Sequence, residues 1–316
     1  MVHVDLEKLE FANRNCPLCD AIEFKLLARN DRNLLGISTV GCRHCGLVQT
    51  NPRPSAVGLD RFYRDHYRLF YQGATTPDLA YISSLNKDVR LAYTARFFSQ
   101  CVKLKPDSVV LDFGCGEGSL FAALRKAGFI GSFYGVELNS SFGEYASRFG
   151  NATVSNKISS REPVDLVIVN HVLEHLSDPV GVLMQLGNLL KKDGRLYVDV
   201  PDVDEYDGIK DLHIAHIYHF SERTLSKLVS RAGFELELVE RHRPPYHPPS
   251  IRLVARFTGN GMEVPALSSL NERPSWAAVR YSGRYLNTIP LRLRRNPYLR
   301  FIYFYMRNII KRGSGD

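Results

Sequence analysis

Apolar and polar positions along this chain fall into distinct stretches. Between about residues 106 and 258, short apolar runs alternate with helical patterns. Ser108–Phe113, Ser132–Val136, Asp165–Asn170 and Arg195–Val200 predict buried strands of a mostly parallel sheet. A later pair, Phe234–Glu240 and Ser250–Phe257, predicts an antiparallel edge. Helices are expected between them. One follows Gly118 to about Ala127, with Gly128 as its stop. A second starts at Ser177-Asp178-Pro179, where proline suits the first helical turn. A third is capped by Ser221 and runs to about Ala232. Alternating strands and helices are the mark of an α/β domain.

The flanks differ. Residues 1–54 hold paired cysteines and end in Asn51-Pro52-Arg53-Pro54, a stiff linker-like signal. Residues 55–105 are helical in pattern and rich in aromatics, among them Phe62, Tyr63, Tyr67, Tyr71 and Tyr81. They form a helical linker or lid, with Tyr67 and Tyr71 spaced to share one face. Residues 259–316 are basic and aromatic, with an amphipathic stretch near Phe301–Ile309. The expected organisation is thus 1–54, 55–105, 106–258 and 259–316.

Composition adds one asymmetry. The 316 residues are 44% hydrophobic and 23% charged, values of a globular protein. Net charge is +8, yet the first 240 residues carry 27 basic against 30 acidic side chains. From Arg241 onward there are 14 Lys/Arg against 3 Asp/Glu. The basic character belongs to the tail, which would either dock as a terminal helix or lie against an anionic membrane surface. No stretch reaches the ~18–20 apolar residues of a membrane span, and no secretory signal is read at the N-terminus. The expected location is cytoplasmic, with peripheral contact at the inner membrane face through the tail.

Cys16-Pro-Leu-Cys19 and Cys42-Arg-His-Cys45 are two Cys-x-x-Cys knuckles with 22 residues between them. Two such knuckles supply four thiolates to one tetrahedral centre, the closed site of a structural Zn2+. A small zinc-ribbon-like module is expected. Cys101 and Cys115 read as ordinary buried thiols.

The strongest chemical signal is Val109-Val-Leu-Asp112-Phe-Gly114-Cys-Gly116-Glu-Gly118. A strand runs into a glycine-rich turn that lets backbone approach a ligand closely. The spacing is neither that of a dinucleotide fingerprint nor that of a Walker loop. Asp112 would repel a pyrophosphate but suits a ligand with an ammonium and a sulfonium group. S-adenosylmethionine has both. Glu137, at the tip of the next strand, can accept hydrogen bonds from ribose hydroxyls.

These blocks resemble the class I S-adenosylmethionine methyltransferases. The resemblance covers about residues 106–240. It rests on Leu111-Asp-Phe-Gly-Cys-Gly-Glu-Gly, Gly135-Val-Glu-Leu, the run from Asp165 through Asn170-His171-Val-Leu-Glu174-His175 to Pro179, and Gly194-Arg-Leu-Tyr-Val-Asp-Val-Pro. It implies a seven-stranded Rossmann-like sheet with helices on both faces. It also implies that Asn170 and His171 line the cofactor, with adenine near Ser155–Ile158. On the residues alone, His171 and His175 read equally as a helix-start hydrogen-bonder and a surface residue, and Glu174 as a cap or ion-pair partner.

After the fifth strand comes His213-Ile-Ala-His216-Ile-Tyr-His219-Phe-Ser221. Three histidines in seven residues offer a general base, with His216 the first candidate and His219 the second. Together with the cysteine pairs, this loop resembles the zinc-containing sugar methyltransferases. There a Tyr-x-Glu-His run supplies the base; here His216 matches its histidine, while Ala215 and His213 stand at the Glu and Tyr positions. O-methylation of a nucleotide-linked, lipid-linked or glycan sugar fits these residues better than C-methylation of a nucleotide-linked deoxysugar. Methylation of a quinone-like metabolite is a further alternative. A zinc-module nucleic-acid binder is the non-enzymatic one, and the weak basicity of residues 1–54 argues against it. Some sugar O-methyltransferases use a divalent metal, which leaves that option open here, though no acidic cluster demands one.

Overall fold

The computed structural model describes residues 9–33, 35–63, 67, 76–84, 87–160, 162–206 and 208–260. Tyr71 and residues 261–316 of the basic tail lie outside the described residues. The first strands are β1 (Phe11–Ala12), β2 (Phe24–Ala28), β3 (Thr39–Cys42), β4 (Val48–Thr50) and β5 (Arg53–Pro54). Helices α1 (Ala56–Phe62), α2 (Leu79–Ser84) and α3 (Asp88–Gln100) follow. The α/β portion then runs β6 (Val110–Phe113), α4 (Ser119–Lys126), β7 (Phe133–Val136), α5 (Ser140–Phe149), β8 (Thr153–Ser155) and β9 (Val164–Asn170). It continues with α6 (Pro179–Gly187), β10 (Leu190–Pro201), β11 (Tyr218–His219), α7 (Glu222–Arg231), β12 (Phe234–His242) and β13 (Ser250–Phe257).

Seven strands form the main sheet in the order β12-β13-β10-β9-β6-β7-β8. The five strands β6 to β10 pair parallel, and β13 and β12 close one edge antiparallel, the mixed sheet the alternating pattern predicts. The central strand β9 is buried along nearly its whole length because both faces are covered. Each predicted cap is in place. Asp178 accepts the N–H of Gly181 with Pro179 in the first turn, and Ser221 forms a reciprocal capping box with Thr224. Gly128 stops α4 in a left-handed conformation, φ 92°.

The cysteine segment is less separate than its sequence suggests. Its sheet has the order β11-β4-β3-β2, so its outermost strand comes from residues 218–219, far downstream. Cys16, Leu18, Cys42, Cys45 and Leu47 share one apolar core with Leu225, Leu228 and Val229 of α7. Arg223 donates to the Cys45 carbonyl and Arg231 to the Leu18 carbonyl, fixing α7 against both knuckles. Cys115 is buried as expected, whereas Cys101 is exposed at the C-cap of α3. Cys101 follows Ser99 and Gln100 on the exposed end of that helix. Among the described residues, no helix is long and apolar enough to cross a membrane.

Candidate active site

The glycine turn links the end of β6 to α4 at the carboxyl edge of the sheet. Gly114 has φ 85° and faces Val172 so closely that a Cβ would overlap that side chain. Gly118, φ 78°, caps α4 with its Cα against the backbone of Ala146. Only glycine meets both demands without strain. Glu137, one residue past β7, braces the turn. Its Oε2 accepts the Gly116 N–H at 3.0 Å and its Oε1 accepts the Asn139 N–H at 3.0 Å.

Three carboxylates surround this turn. Asp112 is 4% exposed. Burial, with Glu117 and Glu137 nearby, pushes its carboxyl up to about 7. Burial works against ionisation of Glu117 too, but Lys87, 2.6 Å away, outweighs it and holds that carboxyl below its usual range. The turn is therefore a buried acidic cradle with one of its charges already balanced.

Above it opens a cavity of about 680 Å³. Asp112, Gly114, Gly116, Glu137, Asn170 and His171 all line it, while Gly118 turns beneath the wall. The cavity also takes residues the motifs did not single out, notably Lys87 and Arg90 from the α3 end, His175 and His247. Tyr63 and Tyr67 add an aromatic side. Asn156 and Ile158, in the stretch expected near the adenine, line it as well.

His171 holds φ 55°, a left-handed conformation unusual for a non-glycine residue. Its N–H donates to the Asp199 carbonyl. Its ring lies between two buried carboxylates, Nδ1 3.6 Å from Glu174 and Nε2 3.8 Å from Asp199. Backbone strain at a cavity wall is the usual company of function. A 3-10 turn over Leu173–His175 then sends Glu174 inward, 1% exposed. His175 is not a surface residue: Tyr63 and Tyr67 cover it, and its Nδ1 lies 2.7 Å from the Ala215 carbonyl. Tyr63 donates to that same carbonyl at 2.7 Å.

The loop after β10 is placed differently from expectation. His216 lies behind His175, ring centroids 4.8 Å apart, and its Nε2 stands 3.8 Å from Glu174. It is not on the cavity wall. His219 is farther still: it lies in β11, 2% exposed, with Nδ1 3.0 Å from the Tyr206 hydroxyl. Burial lowers His216 well below its usual range and His219 to about 3. The reason is tertiary. Residues 212–219 are drawn onto the cysteine segment, where Arg32 and Thr50 donate backbone N–H groups to the carbonyls of Leu212 and Ile217.

The four predicted metal-ligating cysteines come together. Cys16 and Cys45 sulfurs are 3.4 Å apart, Cys19 and Cys42 sulfurs 3.5 Å, and all four lie within 4.8 Å of one another. A tetrahedral ion with Zn–S bonds of about 2.3 Å separates its sulfurs by roughly 3.8 Å, so the cluster fits one. Gly46, φ 83°, makes the turn of the second knuckle and donates its N–H to Cys42.

Comparison with known proteins finds likeness to parts of the chain. Residues 85–239 match the model of a methyltransferase domain. The chain is 31% identical over 134 residues to a trans-aconitate 2-methyltransferase of Enterobacter sp. (strain 638), covering 40% of this chain and 53% of that protein. It is 23% identical over 192 residues to an uncharacterized 37.1 kDa protein in transposon TN4556 of Streptomyces fradiae, covering 54% and 55%. The chain thus spans about half the length of the curated relatives it matches. A solved Burkholderia thailandensis 1,6-didemethyltoxoflavin-N1-methyltransferase superposes with a TM-score of 0.49 at 18% identity, over 71% of this chain and 96% of that one.

Proposed function

We propose that this chain, which matches a methyltransferase domain over residues 85–239, transfers a methyl group from S-adenosylmethionine to a hydroxyl of a sugar that is nucleotide-linked, lipid-linked or part of a glycan. The observation that carries the donor assignment is the acidic cradle. A buried carboxyl at Asp112, raised by burial and by the neighbouring Glu117 and Glu137, suits an incoming ammonium or sulfonium. Glu137, held rigid from both oxygens, suits a diol. Arg90 on the same wall offers a cation for a carboxylate. The bound donor supplies a methyl carbon already activated by its sulfonium.

The residues of the chain align, dry and deprotonate. An in-line displacement gains most from placement of the two reactants. His171 faces the cavity with its ring between the carboxylates of Glu174 and Asp199. It takes the hydroxyl proton, while His216 acts from behind through Glu174. Tyr63 and Tyr67 offer flat aromatic faces for a sugar ring. The cysteines hold a structural zinc that fixes the loop carrying His213, His216 and His219.

Calorimetry with S-adenosylmethionine and S-adenosylhomocysteine tests the donor assignment. Micromolar binding of both, weakened by Glu137→Ala, is expected. Folded, zinc-replete protein that binds neither would refute it.

A further inference from the structure

Behind the cavity wall, a carboxylate and a set of imidazoles converge without bonding. No described protein group donates to either oxygen of Glu174, though the residue is 1% exposed. Its Oε1 stands 3.8 Å from His216 Nε2, 4.0 Å from His175 Nε2 and 3.6 Å from His171 Nδ1. Charge-assisted N–H···O bonds close to about 2.7–2.9 Å, so these are neighbours kept apart.

The hydrogen bonds of His175 sharpen the point. Its Nδ1 lies 2.7 Å from the Ala215 carbonyl, which can only accept. Tyr63, whose hydroxyl is 2.9 Å from the same Nδ1, donates to that carbonyl as well, so a proton on Nδ1 fits both contacts and leaves Nε2 as the nitrogen facing Glu174, 4.0 Å away. Imidazole ligands of metals are oriented in this way, by a donated bond from the distal nitrogen to a carbonyl. Glu174, His175 and His216 each place one ligand atom within 4.8 Å of the others. Ligands bound at about 2.0–2.2 Å to a shared ion lie roughly 3–4 Å apart.

We propose that Glu174, His175 and His216 bind a divalent first-row transition-metal ion, separate from the four-cysteine site, with an open coordination position toward the cavity. Two imidazoles and one carboxylate leave room for a substrate oxygen, as catalytic sites do. His175 is the ligand on the wall, so the open position faces the side where His171 and Tyr63 stand. The backbone supports the arrangement, since the Ile217 N–H donates to the Glu174 carbonyl and ties the His216 loop to the ion's floor. The role of the ion rests on the methyl-transfer reading; its binding does not. A hydroxyl bound there is acidified as by a Lewis acid. Its proton passes to His171, its oxygen bonds to the methyl carbon, and the C–S bond breaks with the electron pair left on sulfur.

The two sites differ in softness, which separates them experimentally. Protein carrying zinc on its cysteines would be titrated with Mn2+ under electron paramagnetic resonance. One Mn2+ per chain is expected, at least tenfold weaker in Glu174→Gln and in His216→Gln. Circular dichroism and S-adenosylmethionine affinity should match wild type in both variants. Wild-type protein that takes up no Mn2+ and no second equivalent of Co2+ or Zn2+ would overturn the site. So would unchanged Mn2+ affinity in both folded variants. If the metal binds while S-adenosylmethionine does not, the site stands and the methyl-transfer reading falls.

Discussion

Glu137 and Gly116 are joined by a 3.0 Å hydrogen bond from the backbone of one to the carboxylate of the other. The tip of β7 thereby sets the shape of the glycine turn before any ligand arrives. Glu137→Ala should remove both a ligand contact and this brace, weakening S-adenosylmethionine by about tenfold or more, since charged hydrogen bonds contribute ~1.5–3 kcal/mol. Glu137→Gln keeps the size but not the charge and should fall between. Equal affinities by calorimetry for all three proteins would remove Glu137 from the binding site.

Gly114 makes a sharper steric test. Gly114→Ala puts a Cβ into Val172 at φ 85°. A left-handed alanine alone costs ~1–2 kcal/mol. The melting temperature should drop by at least about 2–4 °C. Adding Val172→Ala should recover the part owed to overlap and leave the part owed to φ. A double variant no better than Gly114→Ala would show that backbone strain is the whole effect.

Asp112 predicts a pH dependence. Its carboxyl is raised from 3.8 to about 7, so the empty fold holds a proton that the unfolded chain releases. Its contribution to stability is present below pH 3.8 and is lost as pH rises to about 7. A cationic ligand favours the carboxylate, so binding should release a proton between these limits. Affinity should climb with pH and level off above about 7. Calorimetry in buffers of differing ionisation enthalpy reads the released proton directly. Asp112→Asn should abolish the release; a release that persists would assign it to another group.

His171 is the proton acceptor in this scheme. His171→Asn should lower turnover by about 10²–10⁴-fold, more than any accompanying loss of donor affinity accounts for. If turnover survives, deprotonation belongs to another group on the wall.

If the four cysteines hold the proposed zinc, its removal should be felt far along the chain. Closed zinc sites contribute folding free energy directly. Chelation, or Cys42→Ser, should speed hydrogen exchange in residues 24–50 and equally in 212–219, because β4 and β11 pair. Faster exchange in the first segment alone would show that the loop is held by other contacts.

Much of this was legible in the chain itself. Buried parallel strands are continuous apolar runs, which is why Asp165–Asn170 stands out in sequence and differs from β9 by one residue. Caps such as Asp178-Pro179 and Ser221 act locally, so local sequence reveals them. Gly114, Gly116 and Glu137 line one cavity because the strand-to-turn motifs that carry them are local as well. What failed was non-local. Nothing in Tyr218-His219 signals a strand, because its partner is β4, across most of the chain. The inward aim of Glu174 depends on a left-handed His171, and a run of Asn-His-Val-Leu-Glu-His does not announce that turn. The clustered histidines of residues 213–219 advertised a base, yet their surroundings, not their number, decide which of them faces the cavity.

The borrowed strand also sets an order of assembly during synthesis. Residues 24–50 leave the ribosome well ahead of Tyr218 and His219, by roughly ten to thirty seconds at ~5–20 residues per second. Throughout that interval the nascent β4 edge has no partner on its outer side, and the knuckles lack the α7 arginines that later lock them. An unpaired edge is a site for mispairing between chains. Early capture of zinc would stiffen the waiting segment, so metal supply during translation should govern the yield of native protein more than metal supply afterwards.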